Sequence, residues 1–341
     1  MPPRFVLSMN DWLNEFTNLF ANTAATGAVL SDYTSYRIGG PAQMLAEPQS
    51  TEQLRGILAF AHLRKIPITL IGAGSNVLIS DRGIAGITCV LCGAAKRKVS
   101  WRPETAPDAE TGAGLYGVTV SGNRIRAGAG ALLDAVVRAA IAHGLGGMEK
   151  LSGIPGSVGG AVIMNAGAYG AETFDYLSSA TALTSDGKEE KTFLKSALPH
   201  GYRHVEGLAG HAITSCEWEL VPADAAALGK IRADTLANRA AKQPLELPSA
   251  GSVFKRPQGG FASKLIDEAG LKGLRIGGAE VSAKHAGFII NTGGASASDV
   301  YALIRAVQNA VFKKSGVKLE TEQLLLGDFS GGHPADGGKH A

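Results

Sequence analysis

Residues 144–172 read GLGGMEKLSGIPGSVGGAVIMNAGAYGAE. Glycine stands at 146, 147, 153, 156, 159, 160, 167 and 170, yet Leu151, Ile154, Val158, Val162, Ile163 and Met164 are interleaved. So apolar a stretch can be buried and is no linker. Each buried glycine gives up backbone entropy on folding. Two physical reasons can offset that loss. The backbone approaches something flat or anionic more closely than a Cβ allows, a bound cofactor being the natural candidate, or two backbones pack tightly around Gly159 and Gly160.

Upstream, 131–143 (ALLDAVVRAAIAH) reads as a helix. Earlier still, PAQMLAE (41–47) is strand-like, and a helix runs from Thr51 to about Lys65. Its start has the Ser50-x-x-Gln53 form of a capping box. Pro67 opens the strand ITLIG, so 41–72 reads as one βαβ unit. The turn Gly72-Ala-Gly-Ser-Asn76 then leads into another strand, VLIS. A P-loop or Rossmann turn leads into a helix instead. Successive N–H groups of such a turn can still line an anion-binding concavity, and a plain hairpin turn is the alternative. Gly112-Ala-Gly-Leu-Tyr-Gly117 matches G-x-G-x-x-G but runs into the strand GVTVSG, so the dinucleotide fingerprint fails. Residues 101–117 read as a surface insertion.

Trp12, Leu13, Phe16, Leu19 and Phe20 make 11–21 an amphipathic helix. Hairpins fill 178–220, with Asp186-Gly187 as a turn. Asp224 caps a helix to about Ala241. A compact α+β stretch follows: FASKLIDEAG helical, HAGFIIN a strand, Asp299 to Lys314 helical, and VKLETEQLLLG a final strand. The tail from Ser330 reads as disordered.

The 341 residues suffice for two domains, and a net charge of +3 without a basic–aromatic cluster does not indicate nucleic acid. No apolar run approaches the roughly 18–20 residues of a membrane span. The N-terminus turns polar too soon for a signal peptide, so the cytoplasm is expected. Cys89-Val-Leu-Cys92 has C-x-x-C spacing, but it lies in a strand-like run that points the thiols to opposite faces, and Cys216 is distant. The eight histidines show no ligand spacing. No metal is expected.

An ordered set of motifs carries a resemblance across roughly residues 30–327. These are YTSYRIGGPA (33–42), IGAGSNVLISDRGIAG (71–86), the stretch 144–172, GYR (201–203), PSAGSVFKRP (248–257), KLIDEAGLKGLRIGGAEVSAKHAGFIIN (264–291) and LETE (319–322). Together they resemble the UDP-N-acetylenolpyruvoylglucosamine reductase (MurB) family. The resemblance implies an α+β fold, with a two-subdomain FAD-binding module of the vanillyl-alcohol-oxidase-like (PCMH) type and then an α+β substrate-binding domain. The expected division is 1–30 as an N-terminal extension, 31–222 as the FAD module (31–92 and 93–222), 223–329 as the substrate domain and 330–341 as a tail. The implied activity is NADPH-dependent reduction of the enolpyruvyl ether of a UDP-sugar to UDP-N-acetylmuramate for peptidoglycan. NADPH reduces the flavin, leaves, and is replaced by the substrate, a small molecule. No nucleic-acid or membrane partner is implied, and a monomer is favoured.

The resemblance also implies site residues. Arg203 is the partner of the developing enolate, since a guanidinium can grip a carboxylate through two parallel bonds. Ser252 is the proton donor, and no Gly-x-Ser-x-Gly elbow marks it as a hydrolase nucleophile. Glu322 is the third catalytic residue, although strand alternation puts Glu320 on the same face and only the motif selects between them. Arg239, Lys242 and Lys255 are substrate-binding candidates, cations suited to a diphosphate. The FAD contacts expected are Tyr36, Arg37, Gly72, Ala73, Gly74, Ser75, Asn76, Val77, Ile154, Pro155, Gly156, Ser157, Gly159, Gly160, Asn165, Gly167, Ala168 and Tyr169. No histidine lies in or beside 72–76 or 153–170, so the flavin is expected to be non-covalent.

Three departures stand out. Only Val221-Pro-Ala separates strand from helix where one branch of the family carries a tyrosine-bearing substrate loop, so this chain resembles the branch without it. Arg256 stands where some relatives have Asn, and the 101–117 segment has no counterpart. Two other readings remain: a flavin oxidase of the same fold, many of which attach flavin through histidine, and a non-catalytic FAD- or nucleotide-sugar-binding paralogue, which loss of the catalytic trio would betray.

Overall fold

The computed structural model describes residues 11–92 and 110–330. The first ten residues of the expected extension, positions 101–109 of the expected insertion, and the tail from 331 lie outside the described residues. The chain divides into two compact units. The first holds the residues up to Ala28, Ala42–Gly74 and Ala85–Ala241; the second holds Val29–Pro41, Ser75–Ile84 and the chain from Lys242.

In the first unit, strands β1 (Ala24–Thr26), β2 (Ala42–Ala46), β3 (Ile68–Ile71) and β5 (Ile84–Val90) form a sheet of order β1-β2-β5-β3. Strand β4 (Val77–Ile79) leaves that sheet altogether. The expected βαβ unit is therefore interleaved: β2 and β3 flank β5, to which β3 runs parallel. Helix α1 (Asp11–Leu19) seats Phe16 against Phe60 of α2 (Thr51–Arg64). Ser50 caps α2 by accepting from the Gln53 amide at 3.2 Å. The return arm of the expected box reaches one residue further out, because Gln53 Oε1 accepts from the Gln49 amide at 2.7 Å.

A second sheet of this unit contains β6 (Glu110–Thr111), β7 (Gly117–Ser121) and β8 (Arg124–Gly128), followed across the sheet by Glu219–His211, Thr184–Leu177 and Leu194–Glu190. Helices α3 (Leu133–Ala142) and α4 (Val158–Ile163) share one core with it, through Leu133, Val136, Val137, Val158 and Val162 against Ile125, Ala127 and Trp218. A smaller cluster joins the two sheets through Leu54, Leu58, Cys89, Leu115, Tyr116 and Leu183. Residues 110–117 are thus no surface insertion. Leu115 and Tyr116 are buried, Tyr116 Oη donates to the Pro48 carbonyl at 2.5 Å, and a Cβ at Gly128 would meet the backbone of Gly114 and Leu115. The missing side chain of Gly128 lets the loop lie against β8. All three cysteines are buried and outside any disulfide, and burial pushes the Cys89 thiol up to about 12.

The second unit is built around the helix Ala297–Ser315. A capping box of Ser296 and Asp299 starts this helix and Gly316, in the left-handed conformation, ends it. Asp81 adds a second anchor by accepting from the Ala297 and Ser298 amides at 2.7 and 2.9 Å. Val300, Leu303, Ile304 and Val307 pack with Tyr36, Leu78, Val253 and Ile266. A small sheet of Arg275–Ile276, Ala279–Val281 and Ile289–Asn291 completes the unit.

The division differs from the expected linear one for identifiable reasons. Residues 75–84 belong with the C-terminal part because β4 pairs in parallel with Leu324–Leu326, Val77 opposite Leu324. Helix α5 (Ala225–Lys242) belongs almost entirely to the first unit, where Arg232 is bonded to Asp134 of α3. The expected strand over 317–327 is shorter as well. Residues 320–322 bond to 253–255, while Leu324–Leu326 pairs with β4, and this change of partner interrupts the ladder.

Candidate active site

The glycine-rich stretch is anchored to the loop before α3. Val158 N–H donates to the Ala131 carbonyl and Gly159 N–H to that of Ala129, both at 2.8 Å, while Leu133 N–H donates to Gly156 at 3.0 Å. A Cβ at Gly159 would lie 3.1 Å from Ala129 Cβ. For Gly159, therefore, close packing against Ala129 accounts for the missing side chain. Gly160 differs: a Cβ there meets only Ser157 Oγ, at an ordinary 3.5 Å. Ser157 caps α4, and a Cβ on Gly72 would collide with its hydroxyl. The Gly72 turn and the start of α4 thus close on each other with no room for a side chain at Gly72.

This cradle fits a flat, phosphorylated cofactor such as FAD. Gly72, Ala73, Pro155, Gly159, Gly160, Gly167, Ala168 and Tyr169 keep exposed surface there. Ile154, Gly156 and Ser157 are buried, Ser157 at 1% exposure, so they shape the cradle. Two further candidates change role. Asn165, at 0% exposure, spends its side chain on Glu172 Oε2 (2.7 Å), the Gly201 carbonyl (3.1 Å) and the Phe174 amide (3.1 Å). Tyr36, also at 0%, sits in the core of the second unit. Neither presents surface to a ligand as placed.

Among the described residues, Arg37, Lys65, Asn165, Tyr169 and Arg203 are the non-glycine residues with left-handed φ, between 45° and 54° for the first four and 55° for Arg203. Lys65 ends α2. The other four are all residues nominated from sequence. Such strain for L-residues concentrates where a side chain is needed for function.

Arg203 follows Tyr202 in the two-residue turn of a small hairpin, Gly201 opposite His204. A glycine would relax this position, yet an arginine occupies it. Its Nη2 donates to the Gly167 carbonyl at 2.9 Å and its Nη1 to that of Asn165 at 3.3 Å. The guanidinium is thereby aimed from the end of the glycine-rich stretch, half-buried and with its planar fork held.

Helix α5 braces the same stretch. Arg239 is 6% exposed, its guanidinium 5.5 Å from the Tyr169 ring centroid, and a Cβ on Gly153 would press into Leu236 and Arg239. Burial draws the Arg239 guanidinium below the usual arginine range, opposed by Tyr169 and Asp134. As placed, Arg239 packs against the FAD-side loop. Asp134 and Arg232 were not evident from sequence. Asp134, 5% exposed, accepts from Arg232 at 2.6 and 2.9 Å and from the Gly153 amide at 2.8 Å. An acid inside the apolar run ALLDAVV was the available signal.

In the second unit, the segment around Ser252 lies between two others. Val253 N–H donates to Gly287 at 2.9 Å, and Glu322 N–H donates to Val253 at 2.8 Å. Ser252 is exposed and Glu322 half-buried, on neighbouring segments. The structure also separates the two glutamates, since Glu320 is exposed and lies 3.5 Å from Lys255 Nζ. Asn76 Nδ2 donates to the Glu322 carbonyl at 3.2 Å, and Asn76 O accepts from Leu324 at 3.0 Å. Asn76 therefore holds the Glu322 segment, and Val77 is a strand residue of β4. Arg37 and Lys242 are exposed. Arg256 lies over the Phe261 ring at 4.9 Å.

Comparison with known proteins matches residues 243–326 to the UDP-N-acetylenolpyruvoylglucosamine reductase C-terminal domain and residues 42–192 to an FAD binding domain. The UDP-N-acetylenolpyruvoylglucosamine reductase of Agathobacter rectalis is 44% identical over 88% of this chain and 93% of its own length. That of Levilactobacillus brevis is 43% identical over 88% and 91%. The crystal structure of the Thermus caldophilus enzyme superposes with a TM-score of 0.70 at 32% identity, covering 88% of this chain and 98% of that one. Among the described residues no helix is long and apolar enough to cross a membrane, and no cluster of His, Cys, Asp and Glu could hold a metal.

Proposed function

The chain belongs to the UDP-N-acetylenolpyruvoylglucosamine reductase family, and we propose that Arg203, Ser252 and Glu322 are its catalytic residues. The protein is an FAD- and NADPH-dependent oxidoreductase, a UDP-N-acetylmuramate dehydrogenase. It reduces UDP-N-acetyl-3-O-(1-carboxyvinyl)-glucosamine to UDP-N-acetylmuramate for peptidoglycan synthesis. When bound, FAD supplies a carrier for the hydride that NADPH delivers to the enolpyruvyl group.

The protein's own part is to manage charge and one proton. As hydride adds to the terminal carbon, negative charge gathers on the neighbouring carbon and the carboxylate. Arg203 meets that charge with a preset fork, the kind of preorganised donor that is effective because it needs no reorganisation. Ser252 donates the proton, a poor acid made adequate by the strong basicity of the carbon it serves. Glu322 completes the site from the adjoining segment. Lys242 and Lys255 draw in the diphosphate, and Arg239 fixes the Gly153–Tyr169 loop. The FAD is held without a covalent bond by the Gly72–Val77 turn, Arg37 and the 154–169 stretch. On this reading the enzyme works in the cytoplasm, on a free UDP-sugar and as a monomer.

The observation that carries the site reading is Arg203, an arginine kept in a left-handed turn with its guanidinium seated on two carbonyls of the glycine-rich stretch. The test is spectroscopic. The purified protein is expected to be yellow and to release its flavin to the supernatant on acid precipitation. NADPH is expected to bleach it anaerobically and the enolpyruvyl substrate to restore the colour. Flavin retained in the pellet overturns the non-covalent assignment; bleaching without recovery overturns the substrate.

A further inference from the structure

Immediately after Glu322 stands a residue that strand alternation does not explain. Gln323 is 2% exposed, and its side chain reaches the backbone of Ala250, a member of the second unit's apolar core. Its Nε2 donates to the Ala250 carbonyl at 3.0 Å and to the Gly251 carbonyl at 3.3 Å. These are the two carbonyls directly before Ser252. Gly251 has φ 73°, so the chain turns there and neither carbonyl lies in a regular ladder. Buried carbonyls outside a ladder need another donor, and Gln323 is that donor.

Behind the amide lies Tyr36, whose ring and hydroxyl are fully buried. Its Oη and Gln323 Oε1 are buried in the same core. Gln323 is the polar group that opposes the upward push of burial on the Tyr36 hydroxyl. The Tyr36 backbone is fixed in turn, its carbonyl accepting from Asn291 Nδ2 at 3.1 Å.

We infer that Gln323, backed by Tyr36, is a positioning residue for Ser252: its amide fixes the Ala250–Gly251 peptides and so sets where the serine hydroxyl points. Ser252 is otherwise held by its bridge to Phe288 and by the Val253 contacts on either side. Those bonds fix the strand direction, whereas the turn at Gly251 is fixed by the glutamine. The inference rests on Ser252 being the proton donor and adds to it a group that touches neither substrate nor cofactor.

The experiment is a double-mutant cycle read in each half-reaction by stopped flow. Gln323→Leu is expected to leave flavin reduction by NADPH within about twofold of wild type. It is expected to slow reoxidation by the enolpyruvyl substrate roughly tenfold, with an enlarged solvent deuterium isotope effect. In a Ser252→Ala background the same change is expected to slow reoxidation no further. Tyr36→Phe, which removes only the hydroxyl, should give a smaller effect on the same half. In the FAD-free protein, Gln323→Leu should hasten amide exchange at Val253. If Gln323→Leu loads no flavin, Gln323→Met, which keeps the length without the amide, takes its place. Equal slowing of both half-reactions, an unchanged reoxidation rate, or slowing that multiplies with Ser252→Ala overturns the inference. If Ser252→Ala alone reoxidises at the wild-type rate, the assignment of Ser252 itself fails.

Discussion

Arg232 grips both carboxylate oxygens of Asp134, at 2.6 and 2.9 Å, and the same carboxylate holds the Gly153 amide at 2.8 Å. One buried acid thereby ties α5 to α3 and fixes the glycine-rich stretch between them. Removing one partner of a buried pair costs about 3–5 kcal/mol, because the other charge is left uncompensated. Asp134→Ala is expected to lose that much in urea unfolding and to release FAD more readily. A loss below about 1 kcal/mol would place the pair among solvated surface bridges.

Arg203 separates stability from function. An L-residue in the left-handed region costs roughly 1–2 kcal/mol, which glycine avoids at the expense of backbone entropy. Arg203→Gly is therefore expected to change unfolding stability by less than about 1 kcal/mol while slowing substrate-driven reoxidation severely. Arg203→Lys should slow the same half-reaction, since an ammonium cannot form the parallel pair of bonds. Normal reoxidation in either variant removes Arg203 from the mechanism.

The two adjacent glycines of α4 make opposite predictions. Gly159→Val drives a side chain into Ala129 and should lower the melting temperature. Gly160→Val has room toward the protein, so it should keep the fold and reduce FAD occupancy, read as the flavin-to-protein absorbance ratio. Full flavin loading in soluble Gly160→Val would show that this face does not meet the cofactor.

Ser252→Ala is expected to spare flavin reduction by NADPH and to slow reoxidation roughly a hundred- to ten-thousand-fold, the usual range for a lost positioned acid. Ser252→Cys should recover part of the rate, and Glu322→Gln should slow the same half. Wild-type reoxidation in Ser252→Ala would transfer the role of acid to Glu322 or to water.

The family, the helices and the glycine turns were legible because each depends on local patterns of residues. What was hidden depends on partners distant in the chain. Gly159 and Gly160 look alike as letters, and only the position of Ala129 tells them apart. Leu115 and Tyr116 read as part of a polar insertion, yet they are core residues because Leu54 and Leu183 cover them. Tyr36 and Asn165 stood in the right motifs, but their contacts are internal. Gln323 carried no signal, since a glutamine becomes informative only when the two carbonyls it serves are seen.

The parallel pairing of β4 with Leu324–Leu326 bears on how the protein is made. Asn76 emerges from the ribosome 246 residues before Glu322, whose carbonyl its side chain binds. At about 5–20 residues per second, translation separates the two by on the order of 10–50 s. For that interval β4 has no strand to pair with, and the Ser75–Ile84 segment waits unclosed while β1, β2, β3 and β5 can already form their sheet around it in sequence. The strand Leu324–Leu326 thus finishes a turn begun at Asn76, and a nascent chain released before that strand is made would carry β4 as an open edge.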